Sequence, residues 1–228
     1  MSRVFLVEDD PTINQSVQEA LQKWRYEVVN VKDWNQVAQE VITENTDIVL
    51  MDITLPVFDG FYWTTEIRKQ SQVPIIFISA ADMNTNAVRA IASGADDYVT
   101  KPFSLDVLIS KIQAILRRVN QSDQGTDISL PFEAGELNTL TNELSNQNES
   151  IKLTPTEGYL LKLLILNVDQ IVTKQKLMRI LWQGGSFIDE DVLNTNMSRL
   201  RNKMARVGWA DRIVTVRKQG YRLVEKDG

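Results

Sequence analysis

The sequence predicts an α/β domain built on a five-stranded parallel sheet, followed by a smaller α+β domain. In the first half of the chain, five short apolar runs alternate with segments whose apolar residues recur at helical spacing. This alternation is typical of a parallel sheet with helices on both faces. Residues 119–127 are polar and lack periodicity, and the pattern changes after them. We therefore expect domains at 1–118 and 128–228, joined by a linker at 119–127.

Five apolar runs in the first domain are interpreted as strands. They are Val4 to Val7, Val28 to Val31, Ile48 to Met51, Ile75 to Ile78 and Tyr98 to Thr100. The first helix starts at Asp10 and Pro11, residue types that favour the N-cap and the first helical position respectively. A last helix is indicated by an apolar face that begins at Leu105 and ends at Leu116.

The second domain begins with short alternating segments between Ile128 and Leu153, which predict a small antiparallel sheet. Helical spacing then predicts three helices. They cover about 155–167, 173–182 and 190–207. Two final strands, Ile213 to Arg217 and Tyr221 to Val224, flank the sequence Lys-Gln-Gly, which is a hairpin signal.

The composition excludes several classes of chemistry. The chain has no cysteine and no histidine, so disulfides, thiolate metal sites, Ser-His-Asp triads and histidine-ligated zinc are impossible. No apolar run approaches the ~20 residues of a membrane span, and the N-terminus leads directly into a strand instead of a signal peptide. We expect a cytoplasmic protein without membrane insertion.

The charge distribution is uneven along the chain. Residues 1–120 hold 16 acids and 11 bases, whereas residues 192–228 hold nine bases and three acids. A basic C-terminal segment in a protein of net charge −5 suggests a local surface that binds a polyanion. The alternative is a charged face that contacts only solvent.

Polar and charged residues follow the predicted parallel strands at their carboxyl ends, where ligands of open parallel sheets bind. These residues are Glu8, Asp9, Asp10, Asp52, Ser79 and Lys101. Clustered carboxylates need a cation to stay ionised, and hard oxygen ligands favour Mg²⁺ that also contacts a phosphate. A hydroxyl and an ammonium group on the same edge would bind the other phosphoryl oxygens. The pattern predicts phosphoryl transfer to a carboxylate; the alternative is a set of solvated acids that cap strand ends.

Four segments of the first domain occur in the order typical of bacterial response-regulator receivers. They are Phe5 to Asp10, Met51 to Gly60, Ser79-Ala80 and Gly94 to Phe103. Residues 1–118 resemble this family, which has a flavodoxin-like fold. The resemblance implies that Asp52 is the phosphoryl acceptor, that Lys101 contacts the phosphate, and that the Lys101–Pro102 peptide bond is cis.

The same resemblance implies a metal site and a switch. The Mg²⁺ ligands would be Asp9, Asp52 and the carbonyl oxygen of Thr54, with Glu8 acting through water. Ser79 and Tyr98 would form the switch pair, in which Ser79 moves toward the phosphate and Tyr98 turns inward. Because the chain has no histidine, its phosphoryl group must come from another protein, which the resemblance identifies as a sensor histidine kinase.

The predicted helix over 190–207 has an apolar stripe and a polar, basic remainder. The stripe consists of Leu193, Met197, Leu200, Met204 and Val207. The other faces carry Asn, Thr, Ser, Arg and Lys, residue types that contact base edges and phosphates, and a helix of this size fits the major groove. The following hairpin could place Arg217 in a minor groove. A surface helix and an ordinary edge hairpin are the alternatives.

Residues 128–226 resemble the winged-helix effector domain of the OmpR/PhoB family. The matching segments are Leu153 to Glu157, Leu181-Trp182, Asn196 to Arg201 and Thr215 to Leu223. The resemblance implies double-stranded promoter DNA as a partner, with Arg199 reading a base and Arg217 entering a minor groove. The implied phosphate contacts are Asn196, Ser198, Arg201 and Thr215. The loop at 183–190 corresponds to the family's RNA polymerase contact.

The family's receivers dimerise when phosphorylated, through a face formed by the fifth strand and the helices on either side of it. The corresponding residues here are Asp97 with Lys111, Asp96 with Arg118, and Ala87 with Val107. The first two pairs keep opposite charges, whereas the third replaces an ion pair with two apolar side chains. Since exposed ion pairs contribute only ~0–1 kcal/mol, we expect the same homodimer.

Two further segments resemble the regulators that respond to bacitracin and other antimicrobial peptides in Gram-positive bacteria. They are Asp59 to Trp63 and Asn194 to Arg199. The sequence therefore predicts a transcription regulator whose only chemistry is phosphorylation and dephosphorylation of itself. The alternatives are a metal-dependent phosphatase or phosphotransferase, although no substrate-binding cap domain is visible, and a receiver joined to a protein-binding module.

Overall fold

The computed structural model describes residues 1–80, 92–121, 129–147, 149–182 and 190–225. The chain divides into two compact units, Met1–Leu116 and Arg117–Gly228. Each unit is described by itself below. Among the described helices, none is both long enough and apolar enough to cross a membrane.

The first unit contains one parallel sheet with the strand order β2-β1-β3-β4-β5. Its strands are β1 (Arg3–Val7), β2 (Glu27–Asn30), β3 (Ile48–Asp52), β4 (Ile75–Ala80) and β5 (Asp97–Lys101). The described helices are α1 (Pro11–Lys23), α2 (Val37–Thr43), α3 (Gly60–Arg68) and α4 (Leu105–Gln121). This architecture confirms the fold class predicted for the first domain.

The core of the first unit lies on both sides of its sheet. Every residue of β3 is buried, as expected for a strand covered on both faces. Leu6, Leu50 and Ile78 from three adjacent strands pack in one cluster with Ile109 and Ile112 of α4. Because the strands are parallel, the carboxyl ends of β1, β3, β4 and β5 meet at one edge of the sheet.

The described residues of the second unit form two small antiparallel sheets and three helices. Its first sheet is formed by β6 (Ser129–Phe132), β7 (Gly135–Asn138), β8 (Glu143–Asn146) and β9 (Glu149–Lys152). Its helices are α5 (Pro155–Ile165), α6 (Lys174–Trp182) and α7 (Glu190–Arg206). Its second sheet has the order β10-β12-β11 and is formed by β10 (Val172–Thr173), β11 (Ile213–Val216) and β12 (Gly220–Leu223). The predicted antiparallel sheet, helices and terminal hairpin are confirmed.

The position of α7 follows from its apolar stripe. Leu193, Met197, Leu200 and Met204 are completely buried, so the predicted stripe is the face that packs on the rest of the unit. The N-terminus of α5 is fixed by a capping box, in which Thr154 accepts from the backbone of Glu157 and Glu157 accepts from the backbone of Thr154.

Candidate functional site

Two carboxylates and one ammonium group meet at the carboxyl edge of the parallel sheet. The Nζ atom of Lys101 lies 2.7 Å from Asp52 Oδ2 and 2.8 Å from Glu8 Oε2. Glu8 follows β1, Asp52 ends β3 and Lys101 ends β5. The Lys101–Pro102 peptide bond is cis, as expected. The sheet order therefore brings three residues from distant parts of the chain into direct contact.

The acidic residues at this edge have different roles. Glu8, Asp9 and Asp52 each present an oxygen atom, and these atoms all lie within 4.8 Å of one another. Asp10 is instead the N-cap of α1, because its Oδ1 accepts from the backbone N–H groups of Thr12 at 2.8 Å and Ile13 at 3.1 Å. Asp9 is exposed, whereas Glu8 and Asp52 are buried. The three remaining carboxylates form an acidic cluster that could hold a metal ion.

Burial and charge shift the protonation of this cluster. Burial raises the pKa of Glu8, and the nearby charge of Asp52 raises it further, while Lys101 opposes both effects. Burial alone would lower the pKa of Lys101, but its hydrogen bonds to Asp52 and Glu8 raise it. The lysine is thus held as a cation, and it neutralises only part of the negative charge around it.

Backbone hydrogen bonds hold the segment that follows β3 close to the end of that strand. The backbone N–H of Thr54 donates to Asp52 Oδ1 at 3.2 Å, and that of Gly60 donates to the Ile53 carbonyl at 2.9 Å. A Cβ atom at Gly60 would overlap the carbonyl oxygen of Asp52 and the ring of Phe77. Glycine is therefore required where α3 begins, because the helix starts against the backbone of Asp52.

The two residues of the expected switch pair are both buried. Ser79 lies near the end of β4, with 6% of its surface exposed, and Tyr98 lies on β5, with 9% exposed. Their strands are adjacent and pair in parallel. Both side chains are therefore largely shielded from solvent in this structure.

The residues expected on the dimer face are engaged within the chain. Lys111 Nζ lies 2.9 Å from both carboxylate oxygens of Asp97. Asp96 is completely buried, and its Oδ2 accepts from Arg68 at 3.2 Å and from the backbone of Ile75 at 3.1 Å.

The other three residues of this face differ in their surroundings. Arg118, which belongs to the second unit, is buried and donates to Thr156 Oγ1 at 2.9 Å and to the carbonyl of Leu181. Val107 is partly buried and packs on the core of the first unit. Ala87 lies outside the described residues. The pairing of Asp96 with Arg118 thus stays a prediction about a second copy of the chain.

A buried carboxylate joins α7 to α5 in the second unit. Glu157 is completely buried, with Oε1 2.9 Å from Arg199 Nη2 and Oε2 2.7 Å from Lys203 Nζ. Burial alone would raise the pKa of Glu157, but the charges of Arg199 and Lys203 outweigh it and lower the pKa. The sequence analysis included Glu157 only as part of a motif and missed this role, although the Thr-Pro-Thr-Glu pattern of a capping box was visible.

The residues expected to contact DNA fall into three groups. Ser198, Thr215 and Arg217 are exposed. Arg199 and Arg201 are partly exposed but engaged within the unit. Asn196 is completely buried, and its amide donates to the Val192 carbonyl at 2.9 Å. The expected phosphate contact of Asn196 is therefore wrong for this structure, because the residue lies on the apolar side of α7.

A further contact joins α7 to the terminal hairpin. The hydroxyl of Tyr221 donates to Asn194 Oδ1 at 2.8 Å, and the Arg201 guanidinium lies 5.5 Å from the centre of the Tyr221 ring. Arg201 also donates to the Ile213 carbonyl at 2.9 Å and to Thr215 Oγ1 at 2.7 Å. No local pattern indicated the Tyr221–Asn194 pair, because 27 residues separate the two positions.

Both units match known families. Residues 4–113 match the response regulator receiver domain, and residues 147–223 match the C-terminal domain of transcriptional regulatory proteins. The chain therefore belongs to the response regulators of two-component systems, with a receiver domain and a DNA-binding domain of the OmpR/PhoB type. Its partners by class are a sensor kinase and DNA, and its family regulates transcription, which agrees with a binding protein and not with an enzyme acting on a separate substrate.

Individual relatives cover the whole chain. The sensory transduction protein BceR of Halalkalibacterium halodurans is 40% identical over 100% of this chain and 98% of its own length. The response regulator protein GraR of Staphylococcus saprophyticus is 38% identical over 96% of this chain and 97% of its own. A solved structure of a RitR mutant has a TM-score of 0.80 at 21% identity, covering 99% of this chain and 100% of that one, and supports the fold alone.

Proposed function

We propose that a sensor histidine kinase phosphorylates this regulator on Asp52, and that phosphorylation controls binding to promoter DNA in the cytoplasm. One observation carries the proposal: Glu8, Asp9 and Asp52 converge within 4.8 Å at the edge of the sheet, and one lysine pairs with two of them. With all three acids ionised, the cluster keeps two negative charges in excess. Such an arrangement needs a divalent cation or chemistry that changes its charge.

The donor set fits Mg²⁺. Carboxylate oxygens and a backbone carbonyl are its preferred ligands, and Asp9, Asp52 and the carbonyl of Thr54 would hold it, with Glu8 acting through water. When bound, the ion neutralises the cluster and the incoming phosphoryl group. The exposure of Asp9 beside the buried Asp52 leaves one side of the cluster accessible from solvent.

The reaction follows from the contacts of Asp52. A carboxylate oxygen of Asp52 attacks the phosphorus atom of the phosphohistidine and forms a P–O bond. The P–N bond breaks, its electron pair goes to the ring nitrogen, and this nitrogen takes a proton from solvent so that neutral imidazole leaves. Lys101 Nζ, now 2.7 Å from Asp52 Oδ2, is placed to bind an oxygen of the transferred group. Ser79 binds a second oxygen, and its movement lets Tyr98 settle inward, which changes the outer surface of β5.

The reshaped surface would favour a homodimer. Asp96, Asp97, Lys111 and Arg118 carry the charges of this interface, while Ala87 and Val107 supply an apolar contact. Two DNA-binding units held together gain effective concentration on paired half-sites, so binding becomes dependent on phosphorylation. Because the chain lacks cysteine, a double variant with Ala87→Cys and Val107→Cys has only two thiols, one on each side of the proposed apolar contact. Phosphorylated protein should then form a disulfide dimer, and a failure to crosslink would count against this face.

The DNA contacts proposed here use the exposed part of the second unit. Ser198 and Arg201 on α7 and Thr215 on β11 would contact phosphates, Arg199 would read a base, and Arg217 at the hairpin would enter a minor groove. RNA polymerase would bind beside α7 through residues 183–190, most of which lie outside the described residues. The genes controlled would include those for resistance to cell-envelope antimicrobial peptides, as the resemblance of Asp59 to Trp63 suggests.

The test compares Asp52→Ala with Asp47→Ala, which alters an exposed aspartate at the opposite end of β3. Each protein is incubated with Mg²⁺ and a small-molecule phosphodonor, and its intact mass and oligomeric state are measured. We expect one added phosphoryl group and a dimer in the wild type and in Asp47→Ala, and neither in Asp52→Ala. A mass gain in Asp52→Ala equal to that of the wild type would contradict the assignment.

A further inference from the structure

The part of α7 outside its buried face is polar. Leu193, Met197, Leu200 and Met204 define the buried face. Four polar residues lie outside it: Asn194 at its edge, beside the terminal hairpin, and Thr195, Ser198 and Asn202 farther from it. In helix-turn-helix proteins, the N-terminal half of the recognition helix contacts base edges, and three of these four residues lie in that half of α7.

Two of the three arginines of α7 are held by contacts within the unit, and the third, Arg206, lies at the C-terminal end of the helix. Arg199 is held at the buried carboxylate of Glu157, and only 13% of its side chain is exposed. Arg201 is held by the Ile213 carbonyl and Thr215. To reach a base, Arg199 would have to leave Glu157 buried with one cation fewer, which is costly. In this structure Arg199 therefore anchors α7, and the base contact proposed for it requires its release from Glu157.

Asn194 differs from the other three residues because its amide group is held in one orientation. Its Oδ1 accepts from the hydroxyl of Tyr221 at 2.8 Å, whereas its Nδ2 has no hydrogen-bond partner among the described residues. Tyr221 is buried, and burial raises the pKa of its phenol. The phenol therefore stays protonated near neutral pH and can donate.

Tyr221 is itself fixed in place. It lies on β12, paired with Val172 on one side and Thr215 on the other, and the Arg201 guanidinium lies over its ring. A side chain locked by buried neighbours discriminates between ligands better than a freely rotating one. Ser198, by contrast, has a hydroxyl that can rotate to donate or accept.

We propose that Asn194 is a specificity-determining residue and donates through Nδ2 to a hydrogen-bond acceptor on a base edge in the major groove. Guanine O6 and N7, adenine N7 and thymine O4 are acceptors there, whereas cytosine presents an N4 donor. Asn194 therefore selects against cytosine at the base it contacts, and Tyr221 is the positioning residue for its amide. The inference rests on the proposed function in one respect, since it requires α7 to enter the major groove.

The experiment is a binding-site selection from randomised duplex DNA with the full-length protein activated by Mg²⁺ and a phosphodonor. Asn194→Asp replaces two donors with acceptors, so cytosine should be enriched about tenfold over wild type at one base-pair position. Tyr221→Phe removes one oxygen and frees the amide to flip. It should weaken the wild-type preference about threefold to tenfold at the same position, while changing overall affinity less than threefold.

Asn202→Asp is the matched control, because it places the same charge on the same helix one turn beyond Ser198. It should weaken binding to all sequences about equally through repulsion of phosphates. An unchanged motif in Asn194→Asp, or a uniform loss like that of Asn202→Asp, would overturn the role of Asn194. If the wild-type protein enriches no sequence, the proposed function fails, and this inference fails with it. If the wild type enriches a motif that Asn194→Asp leaves unchanged, only the role of Asn194 fails.

Discussion

Each of the two units buries carboxylates that pair with cations, but the balance of charge is opposite. Among the described residues of the first unit, Glu8 and Asp52 share one cation, Lys101. In the second unit, the single carboxylate of Glu157 has two cations, Arg199 and Lys203. Accordingly, the pKa of Glu8 is raised, first by burial and then by Asp52, whereas the pKa of Glu157 is lowered by its two partners despite burial.

This difference separates the proposed phosphorylation site from a structural cluster. A buried cluster with excess negative charge is incomplete without a cation, so it can respond to metal binding and phosphorylation. A buried carboxylate with excess positive charge and backbone hydrogen bonds is complete, and it holds two helices together. The comparison indicates that charge balance, more than burial, distinguishes the two roles in this chain.

The largest effect is expected from breaking the structural cluster. Glu157→Ala removes the partner of Arg199 and Lys203 and half of the capping box that begins α5. Loss of one partner from a buried ionic group costs about 3–5 kcal/mol, and we expect the free energy of unfolding of the second unit to fall by about that amount. Hydrogen-exchange mass spectrometry in a urea series would report the two units separately.

The matched control is Glu149→Ala, which removes an exposed glutamate from β9 of the same unit. Exposed substitutions of this kind change stability by about 0.5 kcal/mol or less. If Glu157→Ala and Glu149→Ala lowered the stability of the second unit equally, the cluster would have no structural role, and the contrast between the two units would fail.

A smaller effect is expected from two glycines that have different neighbours. Gly60→Ala places a methyl group against the backbone carbonyl of Asp52, whereas Gly158→Ala in α5 places one against the side-chain tip of Asn142. Backbone cannot move aside without shifting β3, so Gly60→Ala should destabilise the first unit by about 1–3 kcal/mol. It should also slow phosphorylation of Asp52, because the shift occurs at the acceptor.

Gly158→Ala serves as the comparison for this prediction. The Asn142 side chain can turn toward solvent, and alanine in a helix gains about 0.5–1 kcal/mol over glycine, so the second unit should change in stability by less than about 1 kcal/mol. Thermal unfolding measures the change in stability of both variants, and the initial rate of mass gain with a phosphodonor measures their phosphorylation. Equal losses would mean that the close approach at Gly60 has no special consequence for the site.

The fold and the convergence of acidic residues at one edge of the sheet could be predicted because local pattern determines both. The apolar run Ile48 to Met51 and the polar residue after it are visible without tertiary information, and the parallel order then brings strand ends together. Strand β10 was missed because its two residues have no periodicity of their own. It exists only through pairing with Gly220 and Tyr221, and a Cβ at Gly220 would overlap the Val172 carbonyl.

The second site was predicted less completely, for two reasons. Asn196 was assigned to the polar face by residue type, although it lies three residues after Leu193 and four before Leu200, both of which are buried. Helical spacing alone places it on the apolar side. The contacts of Glu157 with Lys203 and of Tyr221 with Asn194 span 46 and 27 residues, and no local pattern encodes pairings of that length.

The smallest expected effect is the dependence of each unit's stability on pH, which should be opposite for Glu8 and Glu157 because their charge balance is opposite. In metal-free protein, the raised pKa of Glu8 means that the folded state keeps a proton that the unfolded chain releases. Its cost to stability therefore appears as pH rises above the ordinary glutamate value of 4.5. The lowered pKa of Glu157 means the reverse: its contribution is complete above 4.5 and is lost as pH falls below that value.

The two pH windows thus lie on opposite sides of the ordinary glutamate pKa, and Gln variants measure them. Glu8→Gln should stabilise the first unit at pH 7 and lose this advantage as pH falls toward 4.5. Glu157→Gln should destabilise the second unit at pH 7. This destabilisation should become smaller only below pH 4.5, where the protonated wild type resembles the variant. Each unit of pKa shift corresponds to ~1.4 kcal/mol. Urea unfolding in the presence of a chelator, between pH 3 and pH 7, gives both slopes. If the two variants had the same dependence on pH, the clusters would not differ in charge balance, and Glu8 would be neutralised in the fold as fully as Glu157.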